Sequence, residues 1–366
     1  MIGVLSERIA ALALIASERG LDALLIDQPS RTNRAYLTGF RSSGGILVVG
    51  ARGESFFITD GRYAELATER AAHVGYELTI AQNLSEYFPL LRQTVEKAGY
   101  GTIGFEAHTT VVSRLDMLHE LLPAKLVPSG KLVESLRVHK NAWEAEKIET
   151  AQRLSERALE SVLTFVRPGV SELGIAREIA IAMYREGAEE LAFPVIALSG
   201  SNTSKPLGRP SERVIEQGDF VTLDFGMWKD NYASDMTRTF AVGFATDEMR
   251  TVYDVVLNAQ RAGISSAQIG VTGHEADAAA RAVIEKAGYG HAFTHLLGHG
   301  VGTTVSEAPQ LNIGERAPLP EGAVFSIEPG IYLPGQFGVR IEDLVWLSPN
   351  GSRNLTHAPK ELVILS

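Results

Sequence analysis

Residues 218–239 read GDFVTLDFGMWKDNYASDMTRT, and two acids give the stretch its meaning. Gly218 is a turn signal ahead of an apolar run (Phe220, Val221, Leu223) that delivers Asp224; after a loop holding Asn231 and Tyr232, a second acid arrives at Asp235. A strand that buries its apolar face sets an acid at its end on the lip of a core. An unpaired carboxylate there costs on the order of several kcal/mol. Asp224 and Asp235 therefore call for a cation.

The chain uses the same device twice. Gly322 is followed six residues later by Glu328 and eight later by Gly330, as Gly218 is followed by Asp224 and Gly226, an offset of 104 residues. Upstream, Gly169-Val170-Ser171 answers to Gly270-Val271-Thr272 at an offset of 101. Glu342, in GVRIED, stands where Asp235 stands, 14 residues after its partner acid instead of 11. Two related halves are expected to build one site between them.

Composition sets the frame. The chain has 366 residues, enough for two domains. Its net charge is −10, with no Lys/Arg cluster to offset it, which argues against nucleic acid or an anionic membrane as partner. There is no cysteine, so neither disulfides nor thiol chemistry are in play, as suits a reducing cytoplasm. Glu7 and Arg8 break the first apolar run, which does not read as a signal peptide, and no segment reaches the ~18 apolar residues of a membrane helix. The expectation is a soluble, cytoplasmic protein.

In chain order, Leu5, Ile9, Leu12 and Ile15 mark an amphipathic helix closed by Gly20, and LDALLID reads as a buried strand. Residues Asn33 to Phe40 read as a loop; GGILVVG and SFFITD are strands around a turn at Gly53, and Asp60, Arg62 and Tyr63 open a helix. Arg41, Asp60 and Arg62 read as surface ion pairs and a helix cap. This is an α/β N-terminal domain, residues 1–139. A long helix from Glu144, stopped by Arg167-Pro168-Gly169, then opens an α+β domain of two pseudo-symmetric halves, residues 140–366.

Between the acid-bearing halves lies THLLGHGVGTTVSEAP, residues 294–309. Glycines at 298, 300 and 302 let backbone approach whatever His299 touches, which singles out that histidine. The candidate metal ligands are Asp224, Asp235, His299, Glu328 and Glu342. Carboxylates with one imidazole and no thiolate favour a hard or borderline divalent ion, Mn²⁺ first, Co²⁺ or Zn²⁺ as alternatives. Four acids carry more charge than one ion needs. Two ions about 3.5 Å apart, sharing Asp235 and Glu342, balance it and would hold a bridging hydroxide as nucleophile. The competing reading pairs the acids with Arg238, Arg340 and Lys229, or with a single structural Ca²⁺.

DFGMWKDNYASDMTRT, GHGVG, SIEPGIY and GVRIED resemble the metal-binding motifs of the pita-bread metallopeptidases, the family of methionine aminopeptidase, aminopeptidase P, prolidase and creatinase. YLTGF and TDGRYAELA resemble the N-terminal domain of prolidase, aminopeptidase P and creatinase. The resemblance implies that Asp224 and Asp235 serve one metal and His299 and Glu328 the other, with Asp235 and Glu342 bridging. It gives Glu328 the proton shuttle to the leaving nitrogen. His295, Tyr332 and Arg340 match residues near the family's catalytic centre: Tyr332 and Arg340 as groups that touch substrate or support a ligand, support being favoured for Arg340, and His295 as a group that lines the pocket or packs beneath it. Two positions depart from the pattern: Leu207 and Ser306 stand where the peptidases carry histidines that contact substrate.

The function this implies is hydrolysis of the bond between an N-terminal residue and proline in dipeptides or short peptides, by a homodimer. Arg41, in the loop GFRSSGG, is a candidate for the substrate's C-terminal carboxylate by charge and position. The alternative keeps the metals and changes the substrate to a small nitrogen-containing compound, hydrolysed or split by a lyase, since both histidines are gone. A binding module without chemistry is the third reading. Retention of all five ligands speaks against it, because crowded carboxylates are destabilising without their ions.

Overall fold

Alternation along the first strands sets the architecture of the N-terminal part. In Ala23–Ile26, Leu24 and Ile26 point into one apolar core while Ala23 and Leu25 point into another. Ile46–Gly50 does the same, with Leu47 and Val49 on one side and Ile46 and Val48 on the other. A sheet buried on both faces needs helices on both. Ile2–Glu18, Arg31–Thr38 and Ala64–Val74 cover the first face; Tyr87–Ala98 and Val112–Leu121 cover the second. The six strands run in the order Glu77–Ala81, Ser55–Asp60, Ile46–Gly50, Ala23–Ile26, Thr102–Phe105, Lys125–Pro128, with two antiparallel pairings in the middle and three parallel ones outside. The computed structural model describes residues 2–366 and separates into a unit ending at Arg137 and a unit running from Val138 to Ser366.

One local expectation fails. Residues Asn33 to Phe40 are not a loop: Arg31–Thr38 is helical, and Gly39, at φ 82°, is its left-handed C-cap. The cause is a tertiary contact. The fully buried Arg34 guanidinium donates to the carbonyl oxygens of Asp27, Gln28 and Ser42 at 3.0, 3.1 and 2.8 Å. The Asp60–Arg62 ion pair forms, Asp60 also accepting from the Arg62 amide, but Asp60 is buried rather than on the surface and the helix Ala64–Val74 has Tyr63, not Asp60, at its N-cap.

The second unit is built from two halves. In the first, helices Ala142–Val162 and Glu172–Arg185 pack on a sheet ordered Ile364–Leu365, Met236–Val242, Phe220–Phe225, Ile196–Ser199. In the second, Asp247–Ser266 and Gly273–Lys286 pack on a sheet ordered Glu307–Leu311, Gly298–Gly300, Val324–Ile327, Asp343–Ser348, Gly351–Asn354. The repeat seen in sequence is structural. Ser171 caps one helix by accepting from the Gly174 amide, and Thr272 caps its counterpart by accepting from the Glu275 amide. Each cap residue also forms an isolated antiparallel bridge, to Val214 and to Pro318 respectively. An α/β N-terminal part and a pseudo-symmetric α+β C-terminal part is the architecture that the motifs implied.

Candidate metal centre

Each acid is delivered by a strand end, and the two halves do it alike. Asp224 lies in Phe220–Phe225 opposite Thr237, and Asp235 immediately precedes the partner strand Met236–Val242. Glu328 immediately follows Val324–Ile327, and Glu342 immediately precedes the strand paired with it, Asp343–Ser348. The different spacings have a plain cause. The first pair of acids is joined by a hairpin whose tip is Asp230 and Asn231, both at positive φ (51° and 69°), as a tight two-residue turn demands. The second uses a longer hairpin, Gly330–Leu333 with Phe337–Arg340, closed by a looser loop after the Leu333–Phe337 pair.

The result is convergence. One carboxylate oxygen from each of Asp224, Asp235 and Glu342 lies within 4.8 Å of the other two, and all three residues are buried. His299 Nε2 is 3.4 Å from Glu328 Oε1 and 3.7 Å from Asp235 Oδ2. His299 Nδ1 sits 3.2 Å from the Gly300 carbonyl. With its proton there, the ring turns the Nε2 lone pair toward the acids, the orientation a metal-ligating imidazole needs.

The electrostatics show what the site requires. Burial raises Asp235 and Glu342 well above the usual carboxylate range, and the neighbouring carboxylates push them further. Burial likewise pushes Glu328 up to about 7 and raises Asp224, although Arg340 pulls both down. Asp224 Oδ1 is buried without a hydrogen-bond partner. Of the three cations in the competing reading, Arg238 is committed to Asp343 at 2.8 Å and only Arg340 reaches one of these acids, Asp224. One guanidinium against four carboxylates leaves a deficit. Divalent cations fit it, since every donor facing the centre is a carboxylate oxygen or an imidazole nitrogen.

Behind Asp224 runs a hydrogen-bond chain. Arg340 Nη2 donates to Asp224 Oδ2 at 2.6 Å and Nη1 to the Tyr332 hydroxyl at 2.8 Å. The hydroxyl in turn lies 2.8 Å from His295 Nε2, whose other nitrogen faces the Leu296 carbonyl at 2.8 Å. A guanidinium only donates, so Tyr332 accepts from Arg340 and gives its own proton to His295. Burial lowers His295 to about 4, keeping it neutral to accept that bond. None of the three side chains lines the cleft described below. They sit behind Asp224.

Sequence reasoning missed Thr237. Its hydroxyl donates to Glu342 Oε2 at 2.7 Å and accepts from Arg340 Nε at 3.1 Å, tying the halves together. The available signal was its place two residues after Asp235 in an extended strand, which sets both on one face. The glycines around His299 also differ from expectation in their cause. A Cβ at Gly298 would fall 1.8 Å from the Ser326 carbonyl oxygen and one at Gly300 2.2 Å from that of Ala308. Adjacent strands, rather than a ligand, exclude side chains there.

The acids and His299 open into a cleft of about 810 Å³. Leu173, Ala176 and Ala180, on one face of a helix, and Phe193 and Val195 form its apolar wall. Leu207 lines the mouth at 87% exposure, whereas Ser306, also exposed, is outside the lining. Arg41 is exposed and belongs to the N-terminal unit.

Comparison with known proteins agrees with this geometry. Residues 146–349 match the model of metallopeptidase family M24, and residues 8–139 match the creatinase/prolidase N-terminal domain. An uncharacterized peptidase of Bacillus subtilis, YqhT, is 40% identical over 94% of this chain and 96% of its own length. The Xaa-Pro dipeptidase of Pyrococcus furiosus is 32% identical over 98% of this chain and all of its own. A solved Xaa-Pro dipeptidase from Bacillus anthracis superimposes with a TM-score of 0.93 at 38% identity, covering 99% of this chain and 100% of that one. Matched along both parts, the chain belongs to metallopeptidase family M24 and carries the creatinase/prolidase N-terminal domain.

Proposed function

We propose that this protein hydrolyses the bond between an N-terminal residue and proline in dipeptides or short peptides, with the chemistry held in residues 140–366. Asp224, Asp235, His299, Glu328 and Glu342 would hold two divalent ions, Mn²⁺ first, with Asp235 and Glu342 placed to serve both. The observation that carries this reading is the convergence of three buried carboxylates within 4.8 Å, with His299 3.4 Å from Glu328 and with one oxygen of Asp224 unpartnered. The names of the B. anthracis and P. furiosus relatives, both Xaa-Pro dipeptidases, support the substrate class.

When bound, such ions would supply Lewis acidity, lowering the pKa of a bound water and polarising the scissile carbonyl. The chain's own residues do the rest. Glu328, held by the Ser326 hydroxyl at 3.0 Å, takes the proton from the attacking water and passes it to the leaving nitrogen. Arg340 and Thr237 fix the carboxylates of Asp224 and Glu342, one from each half, so that neither rotates out of place. The apolar wall of Phe193 and Val195 receives the proline ring and keeps bulk water from the reacting bond.

The test is metal analysis of purified protein combined with a panel of Xaa-Pro dipeptides and tripeptides assayed with Mn²⁺. Expected are about two ions per chain and turnover that Asp235→Asn abolishes. Turnover no greater than that of Asp235→Asn across the whole panel would sink the substrate assignment, and protein that stays metal-free in excess Mn²⁺ would sink the site.

A further inference from the structure

The N-terminal sheet carries a cluster of donors that the peptide chemistry above does not use. Its strand Ala23–Ile26 is where the strand order turns: the strands from Ile46 to Ala81 are added on one side of it, and Thr102–Phe105 and then Lys125–Pro128 on the other. These last two run parallel to it, so all three end at one edge. Open α/β sheets bind ligands in the crevice outside the carboxyl ends of their strands at such a point. Here the chain leaving each of the three strands feeds the cluster. Glu106 directly follows Thr102–Phe105, with His108 two residues on; Glu134 lies in the first turn of Leu132–Val138, after Lys125–Pro128; and Asn33 lies in Arg31–Thr38, after Ala23–Ile26.

Glu106, His108 and Glu134 each place one ligand atom within 4.8 Å of those of the other two. Asn33 Nδ2 donates to Glu106 Oε1 at 2.5 Å and to Glu134 Oε1 at 2.7 Å, and Arg137 Nη1 orients that amide by donating to Asn33 Oδ1 at 2.7 Å. His108 Nε2 lies 2.8 Å from Glu134 Oε1. One oxygen of each carboxylate is thereby engaged. The other, Oε2 in both, is buried without a hydrogen-bond partner among the described residues, and Glu106 as a whole is only 5% exposed. Such oxygens are costly to bury unpaired, and a neutral amide shared between two carboxylates brings donors but no charge. A cation brings the charge, and the exposed His108 leaves it a way in from solvent. Two carboxylates and an imidazole suit Zn²⁺, with a fourth position left to water, whereas Mn²⁺ stands lowest in the affinity order for such a set.

We propose that Glu106, His108 and Glu134 form a separate site for a single divalent cation, Zn²⁺ first, which takes the place of the His108–Glu134 hydrogen bond and pins together the segments that leave Thr102–Phe105 and Lys125–Pro128. The proposal stands apart from the peptidase reading and uses none of its ligands.

The experiment counts Zn²⁺ on the full chain after Asp235→Asn with His299→Ala has disabled the metal centre. Desalted from excess Zn²⁺, this background should retain about one ion per chain by elemental analysis, and calorimetric titration with Zn²⁺ should show one site. Adding His108→Ala, or Glu134→Gln, should weaken that site roughly 100-fold or more. Zn²⁺ should raise Tm in the background and fail to do so once His108→Ala is added, while the metal-free Tm changes little because His108 is exposed. The wild type, counted in parallel in excess Zn²⁺, should hold one ion more than His108→Ala alone, which keeps the result independent of how well the background folds. A background that retains no Zn²⁺, equal counts for wild type and His108→Ala, or a retained ion that neither added substitution weakens would overturn the proposal, the last as an adventitious ion only.

Discussion

Arg340 Nη2 lies 2.6 Å from Asp224 Oδ2, so a residue of the second half neutralises the first acid of the first half. Both are buried, and the same guanidinium holds Tyr332 and Thr237. Replacing it with Met removes the one cation that offsets the four carboxylates and leaves Asp224 without a partner on either oxygen. Breaking a buried pair in this way costs about 3–5 kcal/mol, and misplacing a ligand costs roughly 10- to 100-fold in metal affinity. Arg340→Met should therefore lower the unfolding midpoint in urea and weaken Mn²⁺ binding, whereas Arg340→Lys should recover part of the stability. Unchanged Mn²⁺ affinity in Arg340→Met would show that the contact does not orient Asp224.

The metal-free protein should lose stability as pH rises. Glu328 is pushed up to about 7 by burial, above the ordinary glutamate value of 4.5, and Asp235 and Glu342 move the same way. An acid whose folded pKa is raised binds its proton more tightly when folded, so that contribution is complete below about 4.5 and is lost as pH passes through 7. Thermal scans of chelator-treated protein should show Tm falling by several degrees across this window. Added Mn²⁺ should raise Tm most at the alkaline end, with proton release on binding. A metal-free Tm that is flat or rising there contradicts the arrangement.

Tyr332→Phe deletes a hydroxyl that accepts from Arg340 and donates to His295. It leaves two buried polar groups each short of a partner, at roughly 1–3 kcal/mol apiece. Because the chain lies behind Asp224, the expected effect is lower stability and weaker metal binding, with KM for peptide little changed at saturating Mn²⁺. A rise in KM with metal affinity intact would instead place the Tyr332 hydroxyl on the substrate.

At Leu207, on the cleft lining, and Ser306, outside it, the chain carries an alkyl group and a short neutral hydroxyl where the resemblance implies histidines. A donor aimed at a developing oxyanion is worth about 10²- to 10³-fold in rate. Leu207→His, at the cleft mouth, combined with Ser306→His should therefore raise kcat on Xaa-Pro dipeptides by roughly tenfold or more, with metal content unchanged. A double variant no faster than wild type would mean that other groups already supply that stabilisation.

Much of this centre was legible in the chain because it is repeated. A glycine turn, an apolar run and an acid recur at an offset of 104 residues, and that periodicity survives without knowledge of any contact. Asp224, Asp235, Glu328, Glu342 and His299 were singled out by position, and all five line the same cleft. What sequence spacing cannot carry is a partner more than a hundred residues away. That Thr237 secures Glu342 and that Arg340 serves Asp224 follow from strands of opposite halves lying side by side, and Tyr332 meets His295, 37 residues earlier in its own half, only once that half is folded. The helix at Arg31–Thr38 carries a related lesson in the N-terminal unit: its local pattern reads as a loop, yet the buried Arg34 guanidinium donates to three carbonyl oxygens six to eight residues away. Local pattern fixed which groups carry charge and which faces are apolar; only the folded chain decided which charges meet, because that choice depends on distances that packing alone determines.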